Sequence, residues 1–284
     1  MKNKLIALCS VFIWQSADNA LETAEKAILT GQVQNETTNR VIAQTAKSDS
    51  LPKLLVPEMI LVDSGTFIMG CTGGHTKDWY GREEDCQINE NPNHIVTVSS
   101  YKIGKFEVSQ AEWKSVMGAN PSYHKGCDQC PVEEVSWNDV QEFLQKLNEQ
   151  TGRHYQLPTE AQWEYAARGG KFSRGYLFAG SNEMPSVAWW GQKDIVTYPA
   201  GLKQPNELGI YDMSGNVWEW CSDWFAEYDR VSQTNPQGPL SGVGRVVRGG
   251  SGRHEDVLPR VYTRNHVSPD ECSNGIGFRL VLIP

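Results

Sequence analysis

Residues 211–220 read Tyr-Asp-Met-Ser-Gly-Asn-Val-Trp-Glu-Trp, a polar turn that carries an acid near each end and two tryptophans. Three further segments occur with it along the chain: Met59–Gly70 (MILVDSGTFIMG), Leu157–Gly170 (LPTEAQWEYAARGG), and Arg248–Ser251 (RGGS) together with Gly277–Arg279 (GFR). The chain has 26 glycines and 10 tryptophans but few long apolar runs, a composition that does not favour a helical bundle. It indicates a loop-rich domain anchored by large aromatic side chains.

The overall composition excludes some classes of function. The chain has 284 residues, of which 39% are hydrophobic and 21% charged, so it can form a substantial core and is not disordered throughout. Its net charge is −8, and it contains no basic run. Because neutralisation of phosphates dominates binding to nucleic acid, the sequence predicts no nucleic-acid partner.

Regular elements are predicted in the first two thirds of the chain. Strands are expected at 59–62, 66–70 and 94–99, each bounded by turn residues. Capping boxes predict helices that start at Ser109, Ser136 and Thr159, because each hydroxyl can accept an orphan N–H of the first turn. These helices are expected to extend to Met117, about Asn148 and Arg168. The middle one carries the apolar stripe Val140, Phe143, Leu144 and Leu147. Beyond Gly170 only turns and short strands are expected.

In their order and spacing, the four segments resemble the formylglycine-generating enzyme (sulfatase-modifying factor) family. The resemblance covers about residues 56–284. It implies an irregular α+β fold, related to the C-type lectin fold, with little regular secondary structure. The resemblance therefore predicts one domain over 56–284.

The N-terminal region predicts export. Residues 1–20 carry Lys2 and Lys4 followed by an apolar stretch from Leu5 to Trp14, which is typical of a signal peptide with a weak cleavage site. That stretch is shorter than the ~20 apolar residues that span a bilayer. Residues 21–55 are predicted to form a polar linker with a loose helix. We therefore expect a periplasmic or secreted protein without an integral membrane span.

Six cysteines remain when Cys9 of the leader is set aside, and an even number in an exported chain favours disulfides. We expect the pairs Cys71–Cys86 and Cys127–Cys130, which leaves Cys221 with Cys272 by elimination, although sequence alone does not fix the connectivity. The CxxC spacing of Cys127 and Cys130 is also compatible with half of a zinc site or with a redox motif. No second ligand pair and no thioredoxin-like setting accompany it, so a structural disulfide is favoured.

The resemblance also implies what chemistry to expect near Ser251. In copper-dependent members of the family, two cysteines after the Arg-Gly-Gly-Ser segment hold a cuprous ion, which paired soft thiolates suit. The matching positions in this chain are His254 and Pro259. The prediction is therefore that copper is not a cofactor and that the sulfatase-activating reaction does not occur.

Candidate catalytic and ligand-binding residues lie on the same loop. Ser251 matches the active-site serine of the family, and Ser251 and His254 are the candidate catalytic residues. Arg253, Glu255 and Arg264 are the candidate ligand-binding residues. His254 with its acidic neighbours could instead form a metal or acid–base cluster, but a solvated or ligand-contacting loop is favoured.

A structural calcium is expected at the 211–220 turn. The resemblance implies Asp212 and Glu219 as side-chain ligands and Gly215 and Val217 as carbonyl ligands, a hard oxygen set that suits calcium. The alternative is that Glu219 pairs with an arginine such as Arg279 inside a Trp-rich core. A second calcium site of the family lacks its asparagine here. The tryptophans at 218, 220 and 224 could bind carbohydrate, but core packing is favoured.

Three functions are compatible with these observations. The first, which the sequence favours, is a family enzyme of the oxidative maturation type that does not generate formylglycine and whose substrate is unknown, as the resemblance to pyoverdine-maturation members implies. The second is a non-catalytic, lectin-like surface or periplasmic protein, because lectin-like members display variable residues on the same C-terminal loop. The third is a true sulfatase activator with displaced ligands. In each case the partner is an unidentified peptide or small molecule, and the oligomeric state is open.

Overall fold

The computed structural model describes residues 54–73, 76–77, 83–84, 86–191, 197–252 and 258–283. The signal peptide predicted at 1–20 and the linker up to residue 53 lie outside these residues. The segment from Leu54 to Pro284 forms one compact unit. Among the described residues, no helix has the length and apolar character needed to span a membrane.

The three predicted helices are present, and each begins at the predicted cap. They are α1 (Gln110–Met117), α2 (Trp137–Thr151) and α3 (Glu160–Ala167), and a short helix α4 (Met184–Val187) follows. All three predicted capping boxes form in both directions: the cap hydroxyl accepts the third N–H, and the third side chain accepts the cap N–H. The stripe on α2 is buried as predicted. Its contacts with α1 and with the sheets, rather than intrinsic propensity, stabilise the helix.

The strands are short, as the sequence predicts. They are β1 (Met59–Val62), β2 (Gly65–Met69), β3 (Thr76–Lys77), β4 (Glu83–Glu84), β5 (His94–Val98), β6 (Tyr101–Gly104), β7 (Tyr155–Gln156), β8 (Trp218–Trp224), β9 (Gln233–Thr234), β10 (Arg245–Arg248), β11 (Arg264–Val267), β12 (Ile276–Gly277) and β13 (Val281–Leu282). Two 3₁₀ turns, Ile88–Glu90 and Gly170–Phe172, connect elements. The expected α+β fold with little regular structure is confirmed.

The sheets bring distant parts of the chain together. One has the strand order β1-β6-β13-β7, a second β11-β10-β8-β12, and a third β2-β5-β9, with β3-β4 as a separate ribbon. The second sheet positions the functional segments, because β8 follows the 211–217 turn and pairs with β10. Apolar side chains from the sheets and helices form two main buried clusters, one around Trp163 and Tyr101, the other around Phe143 and Trp220.

The cysteine predictions are partly confirmed. Disulfides link Cys71 to Cys86 and Cys127 to Cys130, with Cα–Cα distances of 5.8 and 5.3 Å. The predicted pair of Cys221 and Cys272 is wrong, since both are free. Cys221 is fully buried on β8, within the cluster around Trp163. Cys272 is exposed on a loop, where its thiol donates to Glu134 Oε2 at 3.4 Å.

Candidate functional site

The turn from Asp212 to Val217 is held in an unusual backbone conformation. Asp212 and Asn216 have φ of 58° and 61°, in the left-handed region. Gly215 has φ of 86°, and a Cβ there would lie 2.2 Å from the carbonyl oxygen of Trp189. Only glycine avoids both the strain and the clash. The turn therefore packs against the backbone of the 188–191 segment. Strand β8 follows the turn and places Glu219 in the core.

Both carboxylate oxygens of Glu219 accept hydrogen bonds from protein donors. Its Oε2 accepts hydrogen bonds of 2.6 Å from Arg279 Nε and from Trp163 Nε1, and its Oε1 accepts one of 2.6 Å from Arg279 Nη2. Glu219 and Arg279 are both fully buried. The pair between Glu219 and Arg279, which the sequence left as an alternative to calcium ligation, is therefore present.

Two further buried carboxyl groups lie near Glu219. Glu107 accepts from Asn216 Nδ2 at 2.7 Å, and Asp212 Oδ2 accepts from the Gly201 N–H at 2.7 Å. Burial raises the pKa of Glu107 well above its usual range, and the charges of Asp212 and Glu219 add to the shift. Burial likewise raises the pKa of Asp212, whose Oδ1 is sealed from solvent without a hydrogen-bond partner. Sequence reasoning did not identify Glu107, because its position after β6 matches no ligand motif.

Among the described residues, no three His, Cys, Asp or Glu side chains converge closely enough to hold a metal ion by themselves. Any calcium at the 212–219 turn would therefore need the carbonyl oxygens of Gly215 and Val217. An orphaned carboxylate oxygen of Asp212 and an excess of buried acids are features that fit a hard divalent cation.

Ser251 lies in a tightly packed environment. It is 1% exposed, and a Cβ on Gly275 would sit 3.4 Å from its Oγ. The following residue, Gly252, donates its N–H to the Asn216 carbonyl at 3.1 Å, which ties Ser251 to the 212–217 turn. Residues 253–257 lie outside the described residues, so the predicted roles of Arg253, His254 and Glu255 stay predictions.

The second position matched to a copper-binding cysteine is occupied by a buried proline. Pro259 packs against the backbone of Gly250, where an added Cβ would come within 3.0 Å of the proline ring. Gly250 and Pro259, nine residues apart in the chain, therefore lie in direct contact. A pyrrolidine ring offers no ligand atom at this position.

Arg264 is placed in the core rather than on an open loop. Its Nε and Nη2 donate to the two carboxylate oxygens of Glu160 at 2.7 Å, and its Nη1 donates to the carbonyls of Asn89 and Ala226 at 2.9 Å. Burial opposes ionisation of Glu160, but Arg264 and Arg248 outweigh it and lower its pKa. Arg264 also lines a cleft together with Asp223 and Tyr228, and its predicted ligand-binding role stays a prediction.

Other buried ion pairs connect the motifs to one another. Arg248 of the Arg-Gly-Gly-Ser segment pairs with Glu164 of helix α3, and Arg260 pairs with Glu90 at 2.8 Å. Both residues of each pair are fully buried. Sequence reasoning missed these pairs: Glu164 and Arg248 stand in two of the quoted segments, but no local pattern links them, and Glu90 and Arg260 lie outside all four.

The three tryptophans after the turn occupy two different environments. Trp218 and Trp220 are buried in the cluster around Phe143, as core packing predicts. Trp224 is only half-buried, and its ring stacks against Arg245 at 3.7 Å from the guanidinium carbon. Trp224 therefore faces a different environment, at the far end of β8.

The domain has an irregular α+β fold. It combines capped helices and small sheets of short strands with a polar turn whose buried acids lie in the core. Residues 44–283 match the family model described as sulfatase-modifying factor enzyme 1-like domain. The match covers most of the chain, and the protein belongs to this family.

Two curated proteins and one solved structure are similar to this chain. The chain is 36% identical over 191 residues to the formylglycine-generating enzyme of Streptomyces coelicolor, covering 61% of this chain and 58% of that enzyme. It is 33% identical over 232 residues to the chaperone protein LppX of Paenibacillus barcinonensis, covering 62% of this chain and 79% of that protein. The solved structure of Treponema denticola variable protein 1 is 29% identical with a TM-score of 0.70, covering 80% of this chain and 95% of that one.

Proposed function

We propose that this protein is an exported, ligand-binding member of the family that does not generate formylglycine. The observation that carries the proposal is Pro259, which stands buried against Gly250 at a position matched to a copper-binding cysteine. A cuprous ion needs two soft donors, and a proline supplies none. The imidazole of His254 could replace one thiolate but not both.

The chain shares its fold with Treponema denticola variable protein 1. The C-terminal loop that lectin-like members of the family vary lies beyond Ser251, and we therefore place the binding role on that surface. In this proposal the loop between Gly252 and Leu258 carries the ligand contacts, through side chains such as those of Arg253 and Glu255. The buried Ser251 acts as an anchor for that loop. The ligand is a peptide or a small molecule.

A second candidate is a family enzyme with another oxidative chemistry, of the maturation type. The retained Ser251 and the 36% identity to a formylglycine-generating enzyme support it. Such an enzyme would have to draw its redox metal from other donors than a cysteine pair. Metal content therefore separates the two candidates.

We further propose a structural calcium at the 212–219 turn. Asp212 and Glu219 would contribute carboxylate oxygens, and Gly215 and Val217 would contribute carbonyl oxygens. Glu219 Oε1 accepts only one hydrogen bond from the described residues, so a lone pair remains for a cation. The three buried acids Glu107, Asp212 and Glu219 outnumber Arg279, and calcium would balance the excess charge and fix the turn.

Export to the periplasm or beyond the cell is supported by two features. The first 20 residues have the pattern of a signal peptide, and two disulfides link cysteines of the described domain. Disulfides persist in oxidising compartments and are rare in the cytosol.

Copper binding tests the proposal directly. The purified mature protein should hold no stoichiometric Cu(I) when titrated against a competing chelator, whereas the double variant His254→Cys/Pro259→Cys should gain binding. Elemental analysis of the wild-type protein should find calcium without iron or copper. One copper or iron per wild-type chain would contradict the binding role and favour the enzyme.

A further inference from the structure

A cleft of ≈ 300 Å³ lies at the C-terminal end of strand β8. It is bounded by the start of helix α3, by the end of β8 with the 226–229 segment, and by the 236–239 loop. Its volume falls at the lower end of the range for small-ligand sites. Ser251 is near the opposite end of β8, where Trp218 donates its N–H to Gly275. Seven strand residues separate the two places by roughly 20 Å.

Asp223 forms part of the cleft wall and is only 4% exposed. Its Oδ2 accepts hydrogen bonds from the Glu160 N–H at 2.9 Å and from Ser222 Oγ at 3.0 Å. No residue that the structure describes donates to its Oδ1. Oδ1 is not sealed from solvent, so it opens to the cleft, where a donor on a ligand can take the place of water.

The charge of the cleft is negative. Arg264 is the cation among the lining residues, and both oxygens of Glu160 neutralise it through hydrogen bonds of 2.7 Å. Glu227 and Asp229 add two exposed carboxylates at the rim. Asp223 adds a third carboxyl group, which lies close enough to Arg245 and Arg264 to interact with their charges but forms no ion pair with either among the described residues.

Aromatic side chains complete the cleft. The half-buried rings of Trp224 and Tyr228 line it, and the Tyr228 hydroxyl is fixed by a hydrogen bond of 3.0 Å to Glu160. Arg245 and Arg264 already lie over these two rings, at 3.7 and 3.9 Å from the ring centroids. The charge of an organic cation would therefore pair with the acids, while its alkyl stem packs against the part of the rings that these arginines leave uncovered. A phosphate or a carboxylate ligand would be repelled, and a neutral sugar would leave the charge uncompensated.

We propose that this cleft binds an alkylammonium or guanidinium group, either that of a small amine or that of a lysine or arginine side chain of a peptide. Asp223 Oδ1 is the principal acceptor, and Glu227 and Asp229 attract the cation at the rim. The cleft is separate from the surface beyond Ser251, so cation binding in the cleft can be tested independently of the function proposed above.

The test is calorimetric titration of the mature protein with four probes. Cadaverine represents a free amine, and the blocked amino acids N-acetyl-lysine methylamide and N-acetyl-arginine methylamide represent a peptide side chain. N-acetyl-norleucine methylamide is the uncharged control. At least one cationic probe should bind, and the norleucine compound should bind at least about tenfold more weakly, as expected for the loss of one charge-assisted hydrogen bond. Tighter binding of cadaverine indicates a free amine as the natural ligand, and tighter binding of the blocked forms indicates a peptide.

Variants assign the interaction to named residues. Asp223→Asn keeps an acceptor for the Glu160 N–H and should weaken cation binding about tenfold or more. The rim variant Glu227→Lys/Asp229→Lys alters only exposed side chains and should also abolish binding, so the proposal remains testable if Asp223→Asn does not fold. Glu149→Gln, on the exposed side of α2, is the matched control and should bind as the wild type does. Equal binding of the norleucine probe, unchanged binding in the rim variant, or no binding of any cation would overturn the proposal.

Discussion

The guanidinium of Arg279 binds the carboxylate of Glu219 through two hydrogen bonds of 2.6 Å, and neither side chain is exposed to solvent. This pair joins the GFR segment at the end of the chain to the Trp-Glu-Trp segment 60 residues earlier. Removing one partner leaves the other charge buried and unpaired, which is far more costly than losing a surface pair.

Arg279→Met should therefore destabilise the protein by ~3–5 kcal/mol. Urea unfolding followed by tryptophan fluorescence measures the loss. The matched control is Glu58→Gln, which breaks the exposed Lys105–Glu58 pair of 3.1 Å and should cost less than ~1 kcal/mol. Equal, small losses in both variants would show that the buried pair does not carry the stability assigned to it.

Calcium chelation should lower the melting temperature of the wild-type protein. A ligand that binds only the native state adds ~2.7 kcal/mol when it is present at 100-fold over its dissociation constant. Asp212→Asn should abolish the response to EDTA, while Asp128→Asn, at an exposed position away from the turn, should retain it. A wild-type melting curve that EDTA leaves unmoved would remove the calcium proposal.

Stability should fall as the pH rises from about 4 to about 7, in part because of Asp223. Burial, followed by the charge of Glu160, raises the pKa of Asp223 to about 7, whereas an unfolded aspartate has a pKa of ~3.9. Between these values the folded state binds more protons than the unfolded state, so the free energy of unfolding decreases with pH, by at most ~1.4 kcal/mol per unit for this group.

The difference between wild type and Asp223→Asn isolates this contribution, since Glu107 and Asp212 also have raised pKa values. We expect the unfolding free energies of the two proteins to converge at acidic pH, where Asp223 is protonated in both the folded and the unfolded state. As the pH rises to neutral, the wild type should lose stability relative to the variant. Parallel curves would refute the assignment to Asp223.

Cys272 should react with iodoacetamide in the native protein, whereas Cys221 should react only after unfolding. Cys272 is exposed, while Cys221 is buried, and burial raises the pKa of the Cys221 thiol well above its usual range. Peptide mapping without reduction should find the pairs Cys71–Cys86 and Cys127–Cys130. A peptide that links Cys221 to Cys272 would restore the pairing that the structure contradicts.

Features that depend on residues close together in the chain could be predicted from the sequence, whereas long-range contacts could not. The helices at Ser109, Ser136 and Thr159 could be predicted, because a capping box is complete within four residues. The family fold followed from four motifs in order. The pairing of Arg248 with Glu164 spans 84 residues, and no local pattern specifies it.

The elimination that joined Cys221 to Cys272 failed for a different reason. It assumed that an even number of cysteines is fully paired, whereas Cys221 packs as an apolar side chain in the core. The cleft beside Trp224 was likewise invisible in sequence, since the acids of the 223–229 segment form it together with Glu160 and Arg264, which are far away along the chain.

The central claim is that this family member does not convert cysteine to formylglycine. The most direct measurement incubates the protein with copper, oxygen and a peptide that contains Cys-x-Pro-x-Arg, followed by mass spectrometry of the peptide, with the Streptomyces coelicolor enzyme as positive control. We predict no mass loss at the cysteine with this protein. Conversion of the peptide by the wild type, lost in Ser251→Ala, would contradict the account and identify a sulfatase activator with displaced ligands.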